Sequence, residues 1–133
     1  MEGLDILPGL LIDSNVFVDY LRGRAEAVKF VDGITERIAI SAITVAELYA
    51  GVREGEERRL LDSLVAGLDV IEVTKEIAAQ GGLLLRGYMR SHGVGFADAV
   101  IAATATEAGF DLVTLNRKHF PMFPNLIVPY ERS

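Results

Sequence analysis

The chain has 133 residues, half of them hydrophobic, with a formal net charge of −6, two histidines and no cysteine. This length suits one compact domain with a real core. The missing thiols exclude disulfides and thiolate metal sites, and two histidines argue against a histidine-rich zinc centre. The acidic balance argues against a general basic sponge for nucleic acid but leaves a nuclease open, because a carboxylate site is itself acidic until cations load it.

The first residues, Met1-Glu2-Gly3-Leu4-Asp5, are acidic and carry no basic leader. No uncharged apolar run approaches the roughly 20 residues of a membrane helix, so the expectation is a cytoplasmic protein with no membrane partner. "GLLID" (9–13) reads as the first strand, followed by helical spacing over 15–22 and 25–33 with a turn at "RGR" (22–24). "IAIS" (38–41) reads as a second strand, then helices over 44–53 and 56–67 on either side of the charged turn "REGEE" (53–57). "LDVIEV" (68–73) is a third strand, with helices over 75–91 and 97–108 separated by "SHGVG" (91–95). "DLVTL" (111–115) and "LIVP" (126–129) close the series around the turn-rich "FPMFPN" (120–125). The strands are continuously apolar, which predicts burial on both faces, and the βαβ rhythm predicts a parallel sheet covered by helices. With no linker and no repeat, residues 1–133 form one expected domain.

The charge inside this pattern is the informative part. Asp13 ends the first strand, Glu47 falls in the first turn of the helix after "IAIS", and Asp98 opens the helix of "FADAVIAATATEA". Ligands of open α/β sheets gather beyond the carboxyl ends of the strands, where helix amino termini also point. Each acid has a local reading as well. Asp13-Ser14-Asn15 is a helix start, Thr44 and Glu47 have capping-box spacing, and Asp98 suits the dipole of a first helical turn. Together they point elsewhere, since neighbouring carboxylates at a buried edge repel and a shared cation relieves them. Three carboxylates with no soft ligand suit Mg²⁺ or Mn²⁺.

Four segments, "LIDSNVFVDYL" (11–21), "ISAITVAELYAGV" (40–52), "FADAVIAATATEAGFDLVTLN" (96–116) and "HFPMFPNLIVPY" (119–130), give the chain its family likeness. It resembles the PIN-domain ribonucleases, most closely the VapC-type toxins of prokaryotic toxin–antitoxin pairs. The resemblance implies a single PIN-like α/β domain, a parallel sheet of four to five strands with helices on both faces. It also implies a metal-dependent endoribonuclease that leaves a 5′-phosphate and a 3′-hydroxyl. Asp13, Glu47 and Asp98 would be its catalytic metal-binding acids. Ser14, Asn15, Thr114 and Asn116 would orient carboxylates or water around them. A homodimer and a small antitoxin that covers the site are implied too. Leu48, Tyr49, Val52 and Leu60 are offered as apolar surfaces for such partners, with core packing as the plainer reading.

One departure weakens the match. Many relatives carry a fourth acid after the fourth strand, where this chain has Asn116 or, three residues on, His119. Asn116 brings no charge, so a second metal would be held less firmly. His119 could bind a phosphate or a softer metal, with a surface or packing role beside Phe120 as the plainer reading. Arg22, Arg24, Arg53, Arg86, Arg90, Arg117 and Lys118 are candidates to hold RNA, with Arg117 and Lys118 first because they follow the site strand.

The main rival is a PIN-fold interaction module that is catalytically weak or inactive. A phosphatase-like domain also puts Asp after the first strand, but Asn15 replaces the second acid of that arrangement. The "GVGFAD" run (93–98) follows a helix rather than a strand, against dinucleotide binding.

Overall fold

The computed structural model describes residues 9–132; the acidic start read at residues 1–5 lies outside them. Side chains alternate across a strand, so each buried strand must satisfy two faces at once. Leu10 and Ile12 of β1 (Gly9–Ile12) join Ile40 of β2 (Arg37–Ser41) and Val113 of β4 (Asp111–Val113) on one face. Leu11, Ala39 and Leu112 occupy the other. The continuous apolar runs have this origin.

The sheet is completed by β3 (Asp69–Ile71) and β5 (Leu126–Ile127), in the order β3-β2-β1-β4-β5 with every pair parallel. β3 is an edge, and its Asp69 and Val70 are exposed, so burial on both faces fails there. The strand was expected to be buried because it is apolar; position in the sheet overrode composition.

On the first face lie α1 (Ser14–Leu21), α2 (Ala25–Asp32), α3 (Ala42–Gly51) and α4 (Glu56–Gly67), which supply Val16, Phe17, Val31, Leu48 and Leu61 to the core. Burying a side chain such as Phe17 contributes about 1.5–3 kcal/mol. Of the residues offered as partner surfaces, Leu48 follows the plainer reading and is core, with 3% of the residue exposed, whereas Leu60 is 45% exposed. Tyr49 and Val52 are partly buried against the same core.

The second face is covered by α6 (Phe96–Ala108), with Ile101, Ala102 and Ala105 against the strands, and α5 (Lys75–His92) packs on α6. Gly93 and Gly109 end these helices at φ 65° and 71°, the left-handed conformation that glycine adopts without steric cost. From β1 the chain moves outward to β2 and β3, and later returns to lay β4 on β1's other side. That reversal makes the β1/β4 junction a topological switch point, where a crevice opens beyond the strand ends.

Candidate metal centre and its surroundings

The register pairs Ile12 with Val113, so the next residues, Asp13 and Thr114, emerge side by side at the switch point. The Asp13 amide donates to the Val113 carbonyl at 2.9 Å and seals the junction. The Asp13 side chain does two things. Its Oδ1 accepts from the Ser14 amide at 2.8 Å, the helix cap expected of it, while Oδ2 accepts from the Thr114 hydroxyl at 2.8 Å.

Thr114 Oγ1 in turn accepts from Asn15 Nδ2 at 3.2 Å and from the Asn116 amide at 3.0 Å. One donor and two acceptor positions are thereby all used. Asn15 also takes the Leu115 amide on its Oδ1 at 3.2 Å, tying the start of α1 to the segment after β4. The structure brings Ser14, Asn15 and Thr114 onto Asp13 and Asn116 onto Thr114, with Ser14 reaching Asp13 through its backbone.

Glu47 differs from its expected place. Ser41, not Thr44, caps α3, accepting from the Ile43 amide at 3.1 Å, so the helix starts two residues early and Glu47 falls in its second turn. The capping box is absent: Thr44 Oγ1 and Glu47 Oε1 are both buried and without a hydrogen-bond partner. A buried carboxylate oxygen with nothing to accept from is costly unless a proton or cation meets it.

Asp98 is the third residue of α6. Its Oδ2 lies 3.1 Å from His119 Nδ1, which is also 3.0 Å from Asn116 Nδ2. His119 is the contact that the sequence reading passed over. Its spacing three residues after Asn116 was visible, but nothing in the pattern fixed its side chain on Asp98. The helix-start reading of Asp98 also survives in part, because the Gly95 amide stabilises its carboxylate.

All three carboxyls are pushed above their ordinary range, with burial as the largest cause in each. The Thr114 and Ser14 bonds oppose this at Asp13, and the Asp98 charge adds to it. At Glu47 the Asp13 charge adds to burial, the Ser14 hydroxyl opposes, and Asp98 adds again. At Asp98 the charge of His119 is the main opposing effect. The three acids therefore feel one another across one edge.

Among the described residues, no three His, Asp or Glu side chains close tightly enough to enclose an ion. Mg²⁺ does not need a closed cage. It keeps several waters and is held by one or two carboxylates. An all-oxygen donor set at an open edge, with the unpartnered Glu47 Oε1 among the acids, fits that ion and Mn²⁺.

Of the candidate cations, Arg22 and Arg24 are engaged by Glu57 at 3.4 Å and Glu26 at 3.3 Å. Arg53, Arg86, Arg90, Arg117 and Lys118 have no ion pair among the described residues. Arg117 and Lys118 are exposed in a 3₁₀ turn, Arg117–His119, directly after the site strand.

A model of the PIN domain matches residues 10–123 of the chain. The chain belongs to the PIN-domain family. This PIN domain is 45% identical over 124 residues to Ribonuclease VapC19 of Mycobacterium tuberculosis, a match covering 90% of this chain and 98% of that one. It is 39% identical over 124 residues to Ribonuclease VapC10 of the same organism, covering 91% and 92%. A solved toxin–antitoxin complex from Klebsiella pneumoniae contains a chain of the same architecture, with TM-score 0.80, 28% identity, and coverage of 92% of this chain and 99% of that one. The fold read from the sequence is thus the PIN fold, with five parallel strands. Among the described residues, no helix of this PIN domain is long and apolar enough to cross a membrane.

Proposed function

We propose that this PIN domain is a metal-dependent endoribonuclease, the toxin of a VapBC-type pair. The observation that carries the reading is the buried, unpartnered Glu47 Oε1 on an edge where the charges of Asp13 and Asp98 also act on Glu47. The VapC relatives give the substrate class, RNA.

Mg²⁺ or Mn²⁺ would be held by Asp13, Glu47 and Asp98, and supplies there a Lewis acid that acidifies water and offsets charge developing on the phosphate. The chain's own residues prepare that place. Thr114 and the Ser14 amide hold the Asp13 carboxylate in one orientation, and His119 holds Asp98. Asn15 and Asn116 fix Thr114 in turn. Arg117 and Lys118 attract the phosphate backbone to an otherwise acidic surface.

A cognate antitoxin fits the same reading, since the structural neighbours are toxin–antitoxin complexes. The groove lined by Tyr20, Leu21, Val28, Leu60 and Leu64 gives such a partner an apolar seat. A homodimer belongs to the proposal as well.

The test is cleavage of a mixed pool of single-stranded and structured RNAs by chelator-stripped protein, with Mg²⁺ or Mn²⁺ restored and an Asp98→Asn control. Cleavage that needs both the metal and Asp98 supports the enzyme. Cleavage at an equal rate by Asp98→Asn removes it, and metal binding with no turnover of any RNA favours the interaction module.

A further inference from the structure

Beside the carboxylate edge lies a cavity of about 370 Å³, lined by Asn15, Asn116, Arg117, Val128, Tyr130 and Arg132 among others. Its outer wall is the end of the described chain, folded back onto α1. Arg132 donates from Nη2 to Asp19 Oδ1 at 2.9 Å and to the Asn15 carbonyl at 3.1 Å, and from Nε to Asp19 Oδ2 at 3.1 Å. The Tyr130 hydroxyl donates to the same Oδ2 at 2.8 Å, and the Arg24 guanidinium lies 5.6 Å from the centre of the Tyr130 ring. A wall fixed by so many contacts keeps the cavity open without ligand, so little ordering is required on binding.

The inner wall is continuous with the proposed catalytic network. Asn15 and Asn116 both bond to Thr114, whose hydroxyl holds Asp13. Anything seated in the cavity therefore sits beside the residues that set the Asp13 carboxylate.

The lining has a mixed chemistry. Arg132 is neutralised by Asp19, while Arg117 and Glu131 have no ion pair among the described residues, so the lining offers one free cation for an anionic group and one free carboxylate. The Asn116 amide and the Glu131 carboxylate offer donors and acceptors, while Leu115 and Val128 are apolar. An anion, a hydrogen-bonding edge and apolar faces on one small ligand describe a nucleotide. The volume is at the small end of ligand sites, which run about 300–1,000 Å³. It admits one unpaired residue and no duplex.

We propose that this cavity seats one unpaired nucleotide of the RNA next to the bond that is cut, with Arg117 on a phosphate and Asn116 and Glu131 on the base edge. The proposal rests on the ribonuclease reading above.

The test uses the Asp98→Asn chain, which should bind RNA without cutting it, and fluorescein-labelled hexa-adenylate, hexa-uridylate and hexa-cytidylate with an RNA duplex as control. Anisotropy should show at least one hexamer bound more tightly than the duplex. Adding Val128→Trp, which fills the cavity from its outer side, should weaken that hexamer about tenfold or more. Mn²⁺ affinity of Val128→Trp in the otherwise native chain should stay within about twofold, because the carboxylates are untouched. Arg117→Gln is the second variant should the Trp chain not fold, and should weaken the same hexamer. Hexamer affinity unchanged by the variants, or a duplex bound as tightly as the hexamers, overturns the subsite. If the native chain still cuts RNA with metal in that case, the ribonuclease reading stands alone. A native chain that neither cuts RNA nor binds Mn²⁺ removes both.

Discussion

The hydroxyl of Thr114 donates to Oδ2 of Asp13 at 2.8 Å, joining residues 101 positions apart across the β1/β4 junction. Asp13 is 5% exposed and Thr114 fully buried, so solvent does not replace this bond if it is lost. Thr114→Val keeps the shape and removes the donor. Leaving a buried acceptor short of a partner costs about 1–3 kcal/mol, which lowers the unfolding free energy at neutral pH by that amount. If Asp13 ligates the metal as proposed, losing its partner should also weaken Mn²⁺ binding about 10–100-fold. Denaturant unfolding and calorimetric Mn²⁺ titration measure the two effects, and a Thr114→Val chain with native Mn²⁺ affinity means that Thr114 only packs.

Asp13, Glu47 and Asp98 have carboxyls above the ordinary values of 3.8, 4.5 and 3.8. Through that window the folded chain binds more protons than the unfolded one. Their contribution is fully present below the ordinary values and is lost as pH rises through the raised ones. In chelator, the part of the stability that belongs to these acids therefore falls as pH climbs above about 4. Mn²⁺ at a hundred times its Kd should restore about 2.7 kcal/mol at neutral pH, and less at acid pH where protons compete. Thermal unfolding from pH 4 to 8, with chelator or Mn²⁺, follows this. Glu47→Gln should flatten the chelator curve, and an equally steep curve in that variant refutes the assignment at Glu47.

The sequence was legible wherever the reasoning depended on order along the chain. All five strands and all six helices lie where periodicity put them, because strand and helix patterns are local. Asp13, Thr114 and Asn15 came together because parallel-sheet topology puts the ends of β1 and β4 side by side. What failed depended on partners distant in sequence or on helix phase. Ser41 took the cap that Thr44 seemed to offer, which moved Glu47 from the first turn to the second. His119 on Asp98 and Arg132 on Asp19 join residues whose spacing carries no periodic signal. β3 looked like a central strand because composition does not encode position in a sheet.

Asn116 lies 3.0 Å from His119 Nδ1 through its amide nitrogen. Asn116→Asp adds a charged oxygen ligand to the same edge and brings an anion to the imidazole. Mn²⁺ affinity should rise about tenfold, since affinity in such sites follows the ligand charge count. Calorimetry reads the affinity and also whether a second ion is taken up. Equal or weaker binding by Asn116→Asp means that the Asn116 side chain points away from the ion.

Arg117 is exposed and Lys118 follows it, and the proposal puts both on RNA phosphates. Neutralising a phosphate contact removes one released counterion, so the slope of log affinity against log salt should shrink by about 0.7 for a single strand with Arg117→Gln. Binding to the uncleaving Asp98→Asn chain across a salt series gives the slope. An unchanged slope with unchanged affinity assigns Arg117 to solvent.

Gly81 and Gly82 are adjacent in the middle of α5, yet an added methyl meets opposite surroundings. A Cβ at Gly81 would lie 3.2 Å from Val100 Cα and 3.1 Å from Val100 Cγ2, against the backbone of α6, while at Gly82 nothing lies within 4 Å. Replacing glycine by alanine in a helix interior is worth about 0.5–1 kcal/mol in backbone entropy. Gly82→Ala should show that gain as a higher denaturation midpoint. At Gly81 the same gain is set against overpacking, which costs about 1–3 kcal/mol because the α6 backbone cannot move aside as a flexible side chain does. Gly81→Ala should therefore destabilise on balance and push α5 from α6. Parallel urea unfolding of the two single variants decides the matter, and stabilisation of both would show that the α5–α6 contact is looser than this packing indicates.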